Sequence, residues 1–173
     1  MYDPTIFDNL KVALENQLYD LDNLDEHIEI KNRRDVMDFA VLSREFALRF
    51  VLRSHPEIEA EVILRASVHD LAGEIMESPN ANAACSLSLC FQKRIQHPET
   101  ECAGIEQVIA SIWEQDIELT QTIRYIYGEE NPKLMVSIEA AFKPRLTEEN
   151  MEELSMFLEH VLDTLHVLNR MQH

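Results

Sequence analysis

The chain has 173 residues, 46% of them apolar, which suffices for one domain with a core that needs no disulfide or metal staple. Its formal charge of −17, from 32 acidic against 15 basic residues, opposes the phosphate neutralisation on which nucleic-acid binding rests and disfavours anionic membrane surfaces. The same acidity steers a basic partner inward, or simply keeps the chain soluble.

No apolar run reaches the roughly 18–20 residues that span a bilayer. The segment MYDPTIFDNL lacks the basic start and apolar stretch of a signal peptide. The expected location is the cytoplasm. Cys85, Cys90 and Cys102 form no CxxC. Cys85 and Cys90, five apart in one predicted strand, would sit on opposite faces about 16 Å apart, beyond disulfide reach. Packed thiols in a reducing compartment are expected.

Asp3-Pro4 reads as a helix start, with Asp as cap and Pro at the first helical position. Ile6, Phe7, Leu10, Leu14 and Leu18 follow at helical spacing, predicting a helix over about 4–15; a short turn and then a strand from Lys11 is the competing reading. Residues 20–26 read as an acidic loop and 27–31 as a strand. The stretch 34–43 suits either a helix or a buried strand. Phe46, Leu48, Phe50 and Leu52, then Ile58, Ala60, Val62, Leu64, Ala66 and Val68, alternate as two half-buried antiparallel strands around SHPE. Keeping both even-numbered sets inward requires paired positions with an even sum. That places Arg49 and Arg53 on the outer face with Glu59 and Glu61 for cross-strand ion pairs.

Residues 70–77 predict a short helix ended by Ser78-Pro79 and the NANAA loop. Leu87, Leu89 and Phe91 alternate as another strand. Pro98 opens a helix whose Ile105, Val108, Ile109 and Ile112 share a face, with Trp113 near its end. Residues 119–127 and 134–142 predict a second hairpin with a position sum of 261, pairing Tyr127 with Leu134 and Tyr125 with Val136 around a six-residue loop. Pro144 closes that strand. Thr147 caps a final helix of roughly 24 residues, about 36 Å long. Its Met151, Leu154, Leu158, Val161, Leu165 and Leu168 recur every three or four residues. Such a stripe covers a sheet, or, with Phe157 and Leu162, meets the same helix of a second chain.

Chemical motifs are sparse. Glu159, Asp163 and His166, with His160 beside them, share a helical face on which carboxylate and imidazole could ligate a divalent metal; a solvated face is the plainer reading. His69 and Asp70 with Glu74 form a weaker set. The Asp20–Asp25 run departs from a calcium loop at its fifth position, Leu24, at its sixth, where no glycine stands, and at its twelfth, Lys31. Gly73, Gly104 and Gly128 form no phosphate-cradling or nucleophile-elbow motif. Cys102 lies near a helix start that would lower its pKa, but Glu99 and Glu101 oppose that. Arg33, Arg34, Asp35, Asp38, Ser43 and Arg44 crowd an otherwise apolar stretch; a surface ladder, a buried ion-pair network and a small anion site all fit them.

The expected fold is a single two-layer α+β domain over 1–173. It comprises a mostly antiparallel sheet of five or six strands, a long C-terminal helix and at least one further helix. Segments 45–77 and 118–171 both read strand–strand–helix, suggesting an internal duplication. The favoured function is a non-enzymatic protein–protein interaction, chaperone or regulatory module: a homodimer with a basic protein partner, acting through an exposed sheet edge or the helix seam, without cofactor, nucleic acid or membrane. Small acidic α+β secretion chaperones are comparable in general shape, though no motif carries that likeness. The alternative is a small-ligand or metal-dependent enzyme with a pocket between helix and sheet, using Glu159, Asp163 and His166, or His69 and Asp70. A pH-sensing domain rests on nothing beyond the seven histidines.

Overall fold

The structure, a computed structural model, describes residues 5–75, 84–114 and 116–171. Six antiparallel strands form one sheet in the order β1-β2-β3-β4-β6-β5. They are β1 (Ile28–Asp38), β2 (Ser43–Leu52), β3 (Glu59–Ala66), β4 (Ser86–Ile95), β5 (Ile117–Arg124) and β6 (Leu134–Phe142). The helices are α1 (Ile6–Asn23), α2 (Val68–Ile75), α3 (Pro98–Trp113) and α4 (Leu154–Arg170), the last preceded by a 3-10 turn, Glu148–Glu153. This is an α+β fold, with a long helix at the C-terminal end.

Alternation decides which face leaves water. Phe46, Leu48 and Phe50 of β2 stand beside Leu64, Val62 and Ala60 of β3, and these beside Leu87, Leu89 and Phe91 of β4. Val136, Ile138 and Ala140 of β6 continue the same wall, and all are buried. Phe7, Leu10, Leu14 and Leu18 of α1, Ile105 and Ile109 of α3, and the α4 stripe complete one apolar cluster with it. The β2–β3 register sums to 110, with Arg49 opposite Glu61, so the even sum inferred from core alternation holds. Arg49 reaches Glu61 at 3.4 Å and Glu59 at 3.8 Å.

Several expectations need correction. The first helix runs to Asn23, so Asp20–Asn23 are helical rather than loop, and no strand starts at Lys11. Its described cap is Thr5, whose hydroxyl accepts from the Asp8 N–H while Asp8 answers the Thr5 N–H. Asp3, Pro4, Ser78, Pro79 and the NANAA loop lie outside the described residues. The ambiguous stretch 34–43 is the end of β1, a turn, and the start of β2. Val68 begins α2 instead of ending a strand. Arg53 lies past β2 and turns to Asp22 of α1 and the Ile28 carbonyl (2.8 Å), not to Glu59 or Glu61.

The second hairpin sums to 259, two residues from the expected register, with Ile123 opposite Val136. A slip of two preserves faces, so the wall is intact while Tyr125 and Tyr127 fall outside the strand. Asn131 (φ 53°) and Gly128 (φ 89°) take left-handed turns in the lengthened loop. Thr147 caps the 3-10 turn, and α4 proper is 17 residues, about 25 Å.

Leu154, Leu158, Val161, Leu165 and Leu168 are buried against this chain's own sheet and helices. The seam is therefore already occupied, and a second copy would have to meet another surface. Removing a methyl cluster there leaves a cavity. Leu165→Ala is expected to cost about 2–5 kcal/mol, against less than about 0.5 kcal/mol for Tyr127→Ser on the surface. Urea unfolding of both variants measures the contrast.

Candidate functional site

Charge first separates the two faces of β1. Its pairing with β2 slips between Ile30 and Asn32, a bulge that switches which parity faces the helices. Ile28 and Ile30 lie on the helix side before it, Arg33 and Asp35 after it. There Asp35 takes Lys11 of α1 at 2.9 Å and Arg44 of β2 at 3.2 Å, Arg44 also takes Asp8 at 2.7 Å, and Arg33 takes Glu15 at 2.8 Å. The Arg44 guanidinium lies 4.5 Å over the Phe7 ring. Burial by itself raises the Asp35 pKa, but the hydrogen bonds from Lys11 and Arg44 outweigh it, leaving the carboxyl below the usual range. Arg34, on the other face, pairs with Glu45, which also holds Arg65 at 2.6 Å. Asp38 accepts the Ala40 N–H at 2.9 Å in the hairpin turn. The crowded cluster is thus a half-buried network, split by the pleat, that bolts α1 to the sheet.

The candidate metal ligands are not gathered. Glu159 and Asp163 are exposed, while His166 turns edge-on to His27 at 6.3 Å and His160 edge-on to Trp113 at 5.4 Å. Among the described residues no three His, Cys, Asp or Glu side chains could hold a metal ion. Asp70 serves structure, accepting the Ser67 N–H at 3.0 Å and Arg145 at 2.6 Å. His69 is exposed beside it. Cys102 is not activated: burial, and then the Glu101 charge, push its thiol pKa up. Cys85, just before β4, is buried, Cys90 is half-buried, and no bond joins them.

Among the described residues, several surfaces could engage something outside the chain. One is the β1–β2 tip, where Val36, Met37, Phe39, Val41 and Leu42 are all exposed, Phe39 by 81%. A second is the outer edge of β5, which pairs with no further strand among the described residues and leads into exposed Tyr125, Ile126 and Tyr127, the last 94% exposed. A third is a cavity of about 410 Å³ between the end of α3, the start of α4 and the end of β6. Trp113, Phe142 and Phe157 meet there with ring centroids 5.1–5.6 Å apart. Sequence reasoning expects a pocket between helix and sheet but with other residues; it missed this lining, because its walls come from segments about 30 and 15 residues apart that only tertiary packing joins. A further cavity at the opposite end of the sheet is lined by Lys93, which is 1% exposed with its Nζ 3.7 Å from Glu101. Glu101 in turn accepts the Gln96 and His97 N–H groups at 2.6 Å each.

No helix among the described residues is long and apolar enough to cross a membrane. No protein-family model matches the chain, and no curated protein is significantly similar to it.

The ionic layer gives an acid dependence. Asp35 has a lowered folded pKa, so its contribution is present above the unfolded value and is lost as pH falls through the folded one. The stability gap between wild type and Asp35→Asn is expected to be full at neutral pH and to close below about pH 4. Denaturant titrations at stepped pH follow it; a gap independent of pH would contradict the assignment.

Proposed function

We propose that the chain is a non-enzymatic protein-binding module that takes an extended, basic segment of its partner as an added strand on β5. The carrying observation is the difference between the two sheet edges. Edge strands invite pairing by other chains unless they are bulged, charged or covered. The β1 edge has a bulge, the run Lys31–Asp35 of basic, polar and acidic side chains, and α1 bolted beside it. β5, IELTQTIR, pairs on one side with β6 in an unbroken register, has no proline, and carries two charges, Glu118 and Arg124, near its two ends. Its outer backbone groups stand ready for a partner's, and Tyr125 and Tyr127 beyond its end offer amphipathic anchors. The formal charge of −17 favours a basic partner and speeds its approach.

Self-association belongs to the β1–β2 tip in this proposal. Five large apolar side chains, two at the end of β1 and three in the turn, make a patch of the kind that marks contact surfaces. A homodimer through this tip leaves the β5 edge free.

Two measurements test the proposal. Peptides selected from a random display library against the protein are expected to be extended and basic. N-methylation at one set of alternate amides should weaken binding by about tenfold or more, while methylation at the intervening set should not, as one-sided strand pairing requires. Equal loss from both sets, or binding that survives both, would refute strand addition. Light scattering at micromolar concentration should give the mass of two chains for wild type and one chain for Phe39→Ser; a wild-type mass of one chain removes the dimer.

A further inference from the structure

We infer that the cavity between α3, α4 and the end of β6 is a binding site for a small aromatic amine, a ligand with an apolar ring and a positive head. Its volume of about 410 Å³ falls in the range of small-molecule sites, roughly 300–1,000 Å³. The inner wall is aromatic, and its rings are held in place. Trp113 donates its indole N–H to the Thr164 hydroxyl at 3.0 Å, and that hydroxyl donates to the His160 carbonyl at 2.7 Å. Phe142 and Phe157 pack against the indole and against each other. A ring entering this space meets edges and faces fixed before it arrives, so little ordering accompanies binding.

The rim carries the opposite character. Among the described residues lining the cavity, Glu114, Asp116 and Glu153 bring carboxylates and Arg145 the single guanidinium. Arg145 is already committed, 2.6 Å from Asp70 and 3.3 Å from the Ala84 carbonyl. The mouth therefore presents negative charge above an aromatic floor, the combination that attracts an organic cation through both ion pairing and the ring quadrupole.

This site is separate from the β5 edge and the hairpin tip, and it stands without either of them. It also differs from the enzyme alternative, because it contains none of Glu159, Asp163, His166 and His69.

Trp113 is the sole tryptophan, so its emission reports the cavity directly. The test compares three probes of like size: 2-phenylethylammonium, 2-phenylethanol and 3-phenylpropanoate, each titrated at low ionic strength into the full chain. Saturable changes in emission are expected for all three, with the cation about tenfold tighter than the alcohol and the anion weakest. In the double variant Asp116→Asn with Glu153→Gln, the cation's advantage should shrink to under about threefold while the alcohol's affinity holds. Both positions are exposed, and an unchanged melting curve confirms folding. Emission that never saturates in the millimolar range, affinities equal across the three probes, or a preference for the cation untouched by the double variant would each overturn the assignment.

Discussion

The helices α1, α3 and α4 are arranged so that all three seal the same face of the sheet, while the opposite face buries only the smaller set Ala47, Val51 and Ile63 among the described residues. Phe46, Leu48 and Phe50, with Val62, Leu89, Phe91 and Ile138, leave water together with the stripes of these helices. Each such side chain contributes about 1.5–3 kcal/mol when fully buried, which sets this layer above any other single term in the fold. Because the α4 leucines are consumed inside the chain, the exposed apolar groups that cluster lie at the hairpin tip and the end of β5, while Val12, Leu24 and Val68 are exposed elsewhere. Those two clusters, with the aromatic cavity, are what the functional proposals build on.

Charge then does what apolar packing cannot. The β1 bulge turns Arg33 and Asp35 toward α1, where Glu15 meets Arg33 and Lys11 meets Asp35, while Asp8 takes Arg44 of β2; Arg44 lies over Phe7 and Arg33 over Phe46. Exposed ion pairs are weak one by one, but shared half-buried partners such as Asp35 and Arg44 hold a helix in one register. The same network guards the β1 edge, while the β5 edge stays plain. On the outer face, Gln92 of β4 accepts from Ser137 of β6 at 2.8 Å and from Arg124 of β5 at 3.2 Å, so one neutral acceptor ties three strands of that half of the sheet.

The sequence was most legible where one physical pattern acted alone. Strict alternation in 46–52 and 58–66 set the parity of the β2–β3 pairing, an even position sum, and the surface charges Arg49 and Glu61 agree with it. The α4 stripe and the Pro98 helix were equally plain. Legibility failed where two patterns met. In β1 the bulge changes phase midway, so 34–43 shows no single period. In the second hairpin, registers two residues apart bury the same faces, and alternation cannot separate them. The acidic run after Leu18 masked a helix that Leu14, Leu18 and Leu21 were still spacing correctly. The lining of the cavity was invisible because no local spacing links Trp113, Phe142 and Phe157.

The central claim is that α4 closes this chain's own core rather than a seam between two chains. Amide hydrogen exchange followed by mass spectrometry over a wide range of protein dilution tests it most directly. Peptides from 154–170 should exchange as slowly as those from β3 and β4, at a rate independent of concentration. Fast exchange in α4, or protection that fades on dilution while β3 and β4 stay protected, would contradict it.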